Sequence, residues 1–156
     1  MSYTAVTKSN CLYQPRENIK TLILNNLTDK STQIYSYFPN QKANNFKGYP
    51  FILIPDLATE TIEEYGGTDV REFLNEVEGS LYHEVKSLGD NKLRTLKQDI
   101  FQALNKKAND RILNSYKMHD IRIKFEESSP EPLLVDDNEV IEIPFSIMFD
   151  VEVNFA

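Results

Sequence analysis

Val140–Phe155 reads VIEIPFSIMFDVEVNF, and this stretch decides the fold class of the chain. Successive side chains of a β-strand point to opposite faces, so alternating apolar and polar positions predict one long strand with a dry face and a wet face. At about 3.3 Å per residue it would span about 50 Å, well beyond a common strand. Pro144 cannot donate to a ladder, so we expect a bend or bulge there. The apolar positions are Ile141, Ile143, Phe145, Ile147, Phe149, Val151, Val153 and Phe155.

The length and composition indicate one folded domain. The chain has 156 residues, 40% of them hydrophobic, with eight Tyr and nine Phe, which is enough to build a core. Cys11 is the single cysteine, so an internal disulfide is excluded. No apolar run approaches the roughly 18 residues of a membrane span, and the first residues lack a signal-peptide pattern. We therefore expect an intracellular, soluble protein without a membrane partner.

The net charge of −7 is unevenly distributed. Residues 61–90 and 121–156 are acidic, whereas residues 91–120 carry an excess of Lys and Arg. Ordinary solvated surfaces would explain these blocks, and so would surfaces of opposite charge that meet between copies of the chain. Overall acidity argues against nucleic-acid binding as the main task, because that task needs a basic surface.

Two amphipathic helices are predicted. The first begins at Pro15 and places Ile19, Leu22, Ile23 and Leu27 on one face. The second runs from Asn91 to about Ala108, with Asp90 or Asn91 as its cap, and a short extra helical turn is expected over Asp110–Tyr116. The apolar stripe of the second helix comprises Leu93, Leu96, Ile100, Phe101, Leu104 and Ala108.

Four further segments have strand patterns, at 34–38, 49–55, 70–86 and 121–126. Gly79 interrupts the third and suggests a bulge. Residues 56–69 and 127–138 are interpreted as connections, the second acidic and projecting. Residues 1–14 form an N-terminal arm, and residues 15–156 form a single α+β domain. Its predicted architecture is a two-layer sandwich, in which a mainly antiparallel sheet of about five strands packs against two helices.

The sequence offers no enzyme motif and no cofactor-binding motif, and we predict a protein that is not an enzyme. His83 lies in the apolar phase of its strand, where a structural histidine is expected. His119 and Asp120 could form half of a metal or acid–base pair, but no third partner has a telling spacing. The acidic residues around 126–139 lack the order of a calcium loop. No catalytic, cofactor or metal site is therefore assigned.

Several elements resemble tail terminator proteins of long-tailed bacteriophages, also called tail completion or minor tail proteins. The similar features are the helix from Pro15, the strand ending LYHEVKS with the helix KLRTLKQDIFQALNKK after it, and the closing strands HDIRIKFEES and EVIEIPFSIMFDVEV. The resemblance implies a ring, usually a hexamer, that caps the tail tube, ends its polymerisation and joins head-completion proteins. DNA passes through the lumen unread, and an acidic lumen would repel its phosphates. The implied location is the virion neck, after assembly in the host cytoplasm.

Subunit contacts are expected where opposite charges or surplus strand could meet a neighbour. If charge drives assembly, reversing Lys106 and Lys107 to Glu should weaken it. Alternatives remain a small non-enzymatic adaptor domain, another head–tail connector, or a tail tube component. The candidate interface residues are Lys106, Lys107, Glu76, Glu78, Pro130, Pro132, Val151, Val153 and Phe155.

Overall fold

The computed structural model describes residues 2–56, 59–66, 69–126 and 131–156. Its described part contains three α-helices and seven β-strands. The helices are α1 (Gln14–Asn26), α2 (Lys92–Asn105) and α3 (Lys107–Asn114). The strands are β1 (Ile34–Tyr35), β2 (Phe51–Leu53), β3 (Thr59–Gly66), β4 (Val70–Glu84), β5 (Met118–Phe125), β6 (Leu133–Val135) and β7 (Asn138–Asn154).

The strands form one sheet whose path is β1-β2-β4-β7-β5, with β3 paired to β4 and β6 paired to β7. Only the β1–β2 pair is parallel among the described pairs. The helices lie over one face, so the predicted α+β two-layer fold is confirmed. The five strands of the path are the five that the sequence predicted.

β4 and β7 are the centre of the sheet, and they pair without interruption from Val70↔Asn154 to Glu84↔Val140. The predicted bulges at Gly79 and Pro144 are therefore absent from this ladder. The carbonyl of Pro144 accepts a hydrogen bond from the Glu126 backbone N–H (2.9 Å), so its ring nitrogen faces the same side, where β5 ends at Phe125. Proline fits this central strand because its ring nitrogen, which has no hydrogen to donate, faces the side of β7 on which pairing with β5 ends.

Gly79 serves close packing instead of a bulge. A Cβ at Gly79 would lie 2.6 Å from the Leu53 carbonyl oxygen and 2.6 Å from Phe145 Cζ. Both distances are shorter than van der Waals contact, so any side chain here would push two neighbours apart. The glycine lets β2 and the Phe145 ring approach the middle of β4.

The buried core lies between the helices and the apolar face of the sheet. α1 contributes Ile19, Leu22 and Ile23, and every alternate residue of β7 from Phe145 to Val153 joins the same cluster. α2 ends at Asn105, three residues before the predicted end, and α3 begins at Lys107 after the single residue Lys106. Phe101 is 48% exposed, so its assignment to the buried stripe of α2 was wrong. The buried positions of α2 are Leu96, Ile100, Ala103 and Leu104.

The N-terminal segment ahead of α1 is anchored to the domain. Asn18 is buried and holds this segment twice, accepting from the Thr4 N–H (3.1 Å) and donating to the Thr4 carbonyl (2.7 Å). The Val6 N–H donates to the Tyr116 carbonyl (3.2 Å), and the Val6 side chain is buried in the core. The predicted arm thus contributes to the core of the domain that it precedes.

Two strands were missed by the sequence interpretation. Residues 59–66, predicted as connection, form β3, which pairs with β4 as a hairpin with a register shift between Thr61 and Glu63. Within the predicted 127–138 connection, β6 pairs with the start of β7. Asp136 and Asp137 turn this hairpin with φ of 49° and 64°, a conformation that Asp tolerates better than most residues.

Candidate functional site: the open face of the sheet

The face of the sheet opposite the helices carries most of the acidic side chains of the central strands. Since paired residues share a face, the ladder places Glu72 beside Glu152, and Glu78 beside Ser146, on this side. We call it the open face. Its carboxylates on β4 and β7 are Glu72, Glu76, Glu78, Glu84, Glu142, Asp150 and Glu152.

Few basic groups offset these carboxylates. β5 contributes Arg122 and Lys124, which are exposed and pair with Met148 and Ser146 across the ladder. Glu76 accepts a hydrogen bond from the Ser146 hydroxyl (2.5 Å), which orients one carboxylate on the face. The predicted interface residues Glu76 and Glu78 thus lie on the open face, with Glu78 exposed.

The other predicted contact residues lie elsewhere. Lys106 and Lys107 are exposed at the junction of α2 and α3. Pro132 is exposed, and Pro130 lies outside the described residues. The fold therefore presents basic and acidic side chains on different elements, as a contact between unlike patches requires.

The expected contact at the end of β7 needs correction. Val151 is 0% and Val153 is 1% exposed, so neither side chain can meet a neighbour. The prediction was wrong because it considered α2 alone as cover, whereas the same buried cluster includes Val6, Leu113 and Met118. Phe155 is 42% exposed and contacts the Phe73 ring edge-on, with centroids 6.0 Å apart.

One end of the open face is closed by a small aromatic core. Phe51 and Tyr82 are stacked with centroids 5.1 Å apart, and Val140 is buried beside them. Phe46 and Tyr49 come from the segment before β2 and pack on Phe51 at 5.8 and 5.3 Å. This second core lies at the end of the face that carries Glu84 and Glu142, and the other five carboxylates lie further along β4 and β7.

Burial perturbs two phenols in this aromatic core. Desolvation raises the pKa of Tyr49 to about 12, and the nearby negative charge of Glu84 adds to it. Desolvation also raises the pKa of Tyr82, whose hydroxyl hydrogen-bonds Glu142. Both phenols are therefore held neutral, in structural roles.

A groove of about 720 Å³ adjoins the aromatic core where β2, β4, β7 and β5 come together. Gly79 and Pro144 are among its lining residues, and its charged lining residues are Glu78, Lys124, Glu126 and Glu142. Carboxylates outnumber basic groups there too, so the groove continues the acidic character of the open face.

The β6–β7 hairpin carries exposed leucines. Leu133 is 44% and Leu134 is 71% exposed, and β6 has no ladder partner besides β7 among the described strands. An exposed apolar strand edge is a site for pairing with another chain. Sequence reasoning assigned this segment to a loop, although LLV followed by the Asp136-Asp137 turn was a usable hairpin signal.

The two histidines have different environments. His83 is 1% exposed, its Nε2 lies 3.2 Å from Asp90 Oδ1, and its Nδ1 has no hydrogen-bond partner within the described ranges. Asp90 also accepts the Lys92 N–H (2.9 Å), which lowers the Asp90 pKa, so His83 ties β4 to the start of α2. His119 is half-buried on the open face, with Nδ1 2.9 Å from Asn114 Oδ1.

His119 also has acidic neighbours that sequence spacing did not reveal. Ligand atoms of Glu72, His119 and Glu152 lie within 4.8 Å of one another. The sequence pointed instead to a pair formed by His119 and Asp120. In the structure β5 has a bulge between His119 and Arg122, and Asp120 lies in that bulge. Asp120 occupies the left-handed position of that bulge, with φ 55°.

No model of a known protein family matches the chain, and no curated protein is significantly similar to it in sequence. Within the described residues, no helix has the length and apolar character needed to cross a membrane.

Proposed function

We propose that this chain is a structural assembly protein of a bacteriophage neck, a tail terminator whose copies form a ring on the end of the tail tube, as hexamers do in the family that it resembles. The ring would end tail polymerisation and offer a surface to head-completion proteins. The observation that carries this proposal is the open face, where seven carboxylates of β4 and β7 lie on one side of the sheet. A channel wall of this charge repels DNA phosphates and lets DNA pass without binding.

Ring formation requires two different patches on each copy. Leu133 and Leu134 of β6 are exposed, and their apolar side chains are suited to bury against a neighbour. The exposed Lys106 and Lys107 could meet an acidic surface of the next copy, as part of a heterologous contact that closes by rotation. The element order resembling tail terminators is the basis for assigning this assembly to a phage neck.

Mass measurement tests the proposal directly. Size-exclusion chromatography with light scattering and negative-stain microscopy should be run on the chain alone and with tail tube protein of the same phage. We expect rings of one defined copy number, at least on the ends of tail tubes, and tubes of limited length. A chain that remains monomeric with tubes present, and leaves their length unchanged, would contradict the terminator role.

A second candidate is a non-enzymatic adaptor domain, which the β6 edge favours because an extended peptide can add to an unpaired strand. It predicts a one-to-one complex with a partner peptide and no ring. Another head–tail connector or a tail tube component would also form rings. Rings of these two kinds would bind at other positions in the particle than a tail terminator does, and microscopy of assembled particles distinguishes these positions.

A further inference from the structure

Three metal-binding side chains meet on the open face where β4, β7 and β5 lie side by side. Glu72 and Glu152 are directly opposite each other in the β4–β7 ladder, and His119 is paired with Asp150, two residues before Glu152. Their ligand atoms lie within 4.8 Å of one another. We propose that Glu72, His119 and Glu152 bind one divalent transition-metal ion of the Zn²⁺ type.

The charges at this point call for a cation. Like charges directly opposite each other in a ladder destabilise the sheet, and Glu72 and Glu152 are such a pair. Lys117 Nζ lies 3.8 Å from a Glu152 oxygen, but its side chain is 54% exposed, and within the described ranges Glu72 makes no ion pair. A bound divalent ion would neutralise both carboxylates, whereas Lys117 reaches only one.

Asn114 holds one ring nitrogen of His119 and leaves the other for a metal. The His119 Nδ1 lies 2.9 Å from Asn114 Oδ1, an atom that can only accept a hydrogen bond. With Asn114 Oδ1 as acceptor, the neutral His119 ring carries its proton on Nδ1 and keeps on Nε2 the lone pair that a metal requires. Metal-binding histidines generally donate their second ring N–H in this way, so Asn114, the last residue of α3, is a positioning residue.

The ligand set selects the class of ion. One imidazole with two carboxylates suits Zn²⁺ and its first-row neighbours, whereas Mg²⁺ and Ca²⁺ prefer oxygen ligands alone. Ligands bound to zinc at about 2.1 Å lie roughly 3.4 Å apart, so modest side-chain rotation would close the site. Three protein ligands leave a coordination position for water or a group from another chain.

Zinc binding to the full chain tests this inference. Chelator-treated protein would be titrated with Zn²⁺ against a chromophoric chelator, with thermal unfolding followed in parallel. We expect one ion per chain and a midpoint that rises with Zn²⁺, because a ligand that binds only the folded state stabilises it. His119→Ala and Glu152→Gln should each abolish the rise, and Asn114→Ala should weaken binding about 10- to 100-fold.

Glu78→Gln is the matched control, since Glu78 lies on the same strand and face but outside the cluster. It should bind Zn²⁺ like the parent chain, while Mg²⁺ should not compete. Circular dichroism of each variant checks that it folds, and Glu152→Gln keeps the side-chain shape if His119→Ala does not fold. Equal binding by the parent chain, His119→Ala and Glu152→Gln, or no saturable Zn²⁺ binding by the parent chain, would overturn the site.

Discussion

Gly79 and Phe145 face each other across the central β4–β7 ladder, so closely that a Cβ on the glycine would lie 2.6 Å from the phenylalanine ring. The glycine is thus required by packing, since the ladder continues through it without a bulge. The Leu53 carbonyl oxygen would lie 2.6 Å from the same added Cβ, so β4 could not relieve the clash by shifting toward β2.

The first prediction follows from this contact. Gly79→Ala should lower the free energy of unfolding by about 1–3 kcal/mol, the usual cost of overpacking, although alanine is normally the better strand residue. Urea unfolding followed by circular dichroism measures the effect. Gly89→Ala is the control, because among the described residues no heavy atom beyond its chain neighbours lies within 4 Å of its added Cβ, and it should change stability by less than about 0.5 kcal/mol. Equal stability of the two variants would refute the packing argument.

Two phenylalanines should differ sharply when shortened. Phe149 is 0% exposed on the core face of β7, so Phe149→Ala should cost about 3–5 kcal/mol in unfolding free energy. Phe101 is 48% exposed on α2, and Phe101→Ala should cost less than about 1 kcal/mol. The same urea titrations measure both. A loss of unfolding free energy in Phe101→Ala as large as that in Phe149→Ala would show that Phe101 is buried, as its spacing in the sequence predicts.

Alkaline pH should destabilise the aromatic core. The pKa of Tyr49 is raised to about 12 from 10.0, and that of Tyr82 is raised as well, so the folded chain holds both protons more tightly than the unfolded chain. Their stabilising contribution is complete below pH 10 and is lost as the pH rises through the folded values, because the unfolded chain ionises first. The urea midpoint should therefore fall above about pH 10.

Comparison of variants isolates this contribution from general alkaline effects. The double change Tyr49→Phe with Tyr82→Phe should make the midpoint less sensitive to pH between 10 and 12. Tyr13→Phe serves as control because its side chain is 54% exposed, and it should retain the parent's pH dependence. An identical pH dependence in all three proteins would show that these phenols do not control it.

The hairpin leucines should matter for assembly and little for stability. Leu134 is 71% exposed, so Leu134→Ser should shift unfolding free energy by less than about 0.5 kcal/mol. If β6 binds a neighbour, the same change should weaken assembly about tenfold, as loss of a central apolar contact does. Light scattering over a concentration series measures this. Leu12→Ser, at a site 79% exposed before α1, is the matched control. Undiminished assembly of Leu134→Ser would remove β6 from the interface.

The sequence was informative where periodicity was long. The alternation of Ile141 to Val153 defined β7 and its buried face, and the spacing of Leu96, Ile100 and Leu104 defined the face of α2. Phe101 follows Ile100 directly, at the margin of that face, and margins depend on neighbouring elements that periodicity does not include. β3 was missed because its stability comes from pairing with β4, whereas its own residues include Glu60, Glu63 and Glu64.

The candidate sites were less predictable because they depend on pairing between distant segments. Glu72, His119 and Glu152 are far apart in the chain, and only the β4–β7 and β5–β7 registers bring them together. Val153 likewise belongs to a buried cluster that includes Val6 of the N-terminal segment and Leu113 of α3, which are distant from it in sequence. The acidic character of residues 61–90 and 121–156 was visible in the sequence, but its convergence on one face required the antiparallel ladder.

The β4–β7 ladder also has a kinetic consequence. It joins residues that are 56 to 84 positions apart, so the chain must close a long loop before any of these pairs can stabilise it. Such contact order is typical of domains that fold in milliseconds to seconds, more slowly than helical bundles. The β3–β4 hairpin can form beforehand, because its two strands are close in sequence. The edge of β4 that pairs with β7 stays unpaired until β7 has been synthesised. During synthesis this unpaired edge would expose the nascent chain to aggregation, and chaperones protect against that hazard.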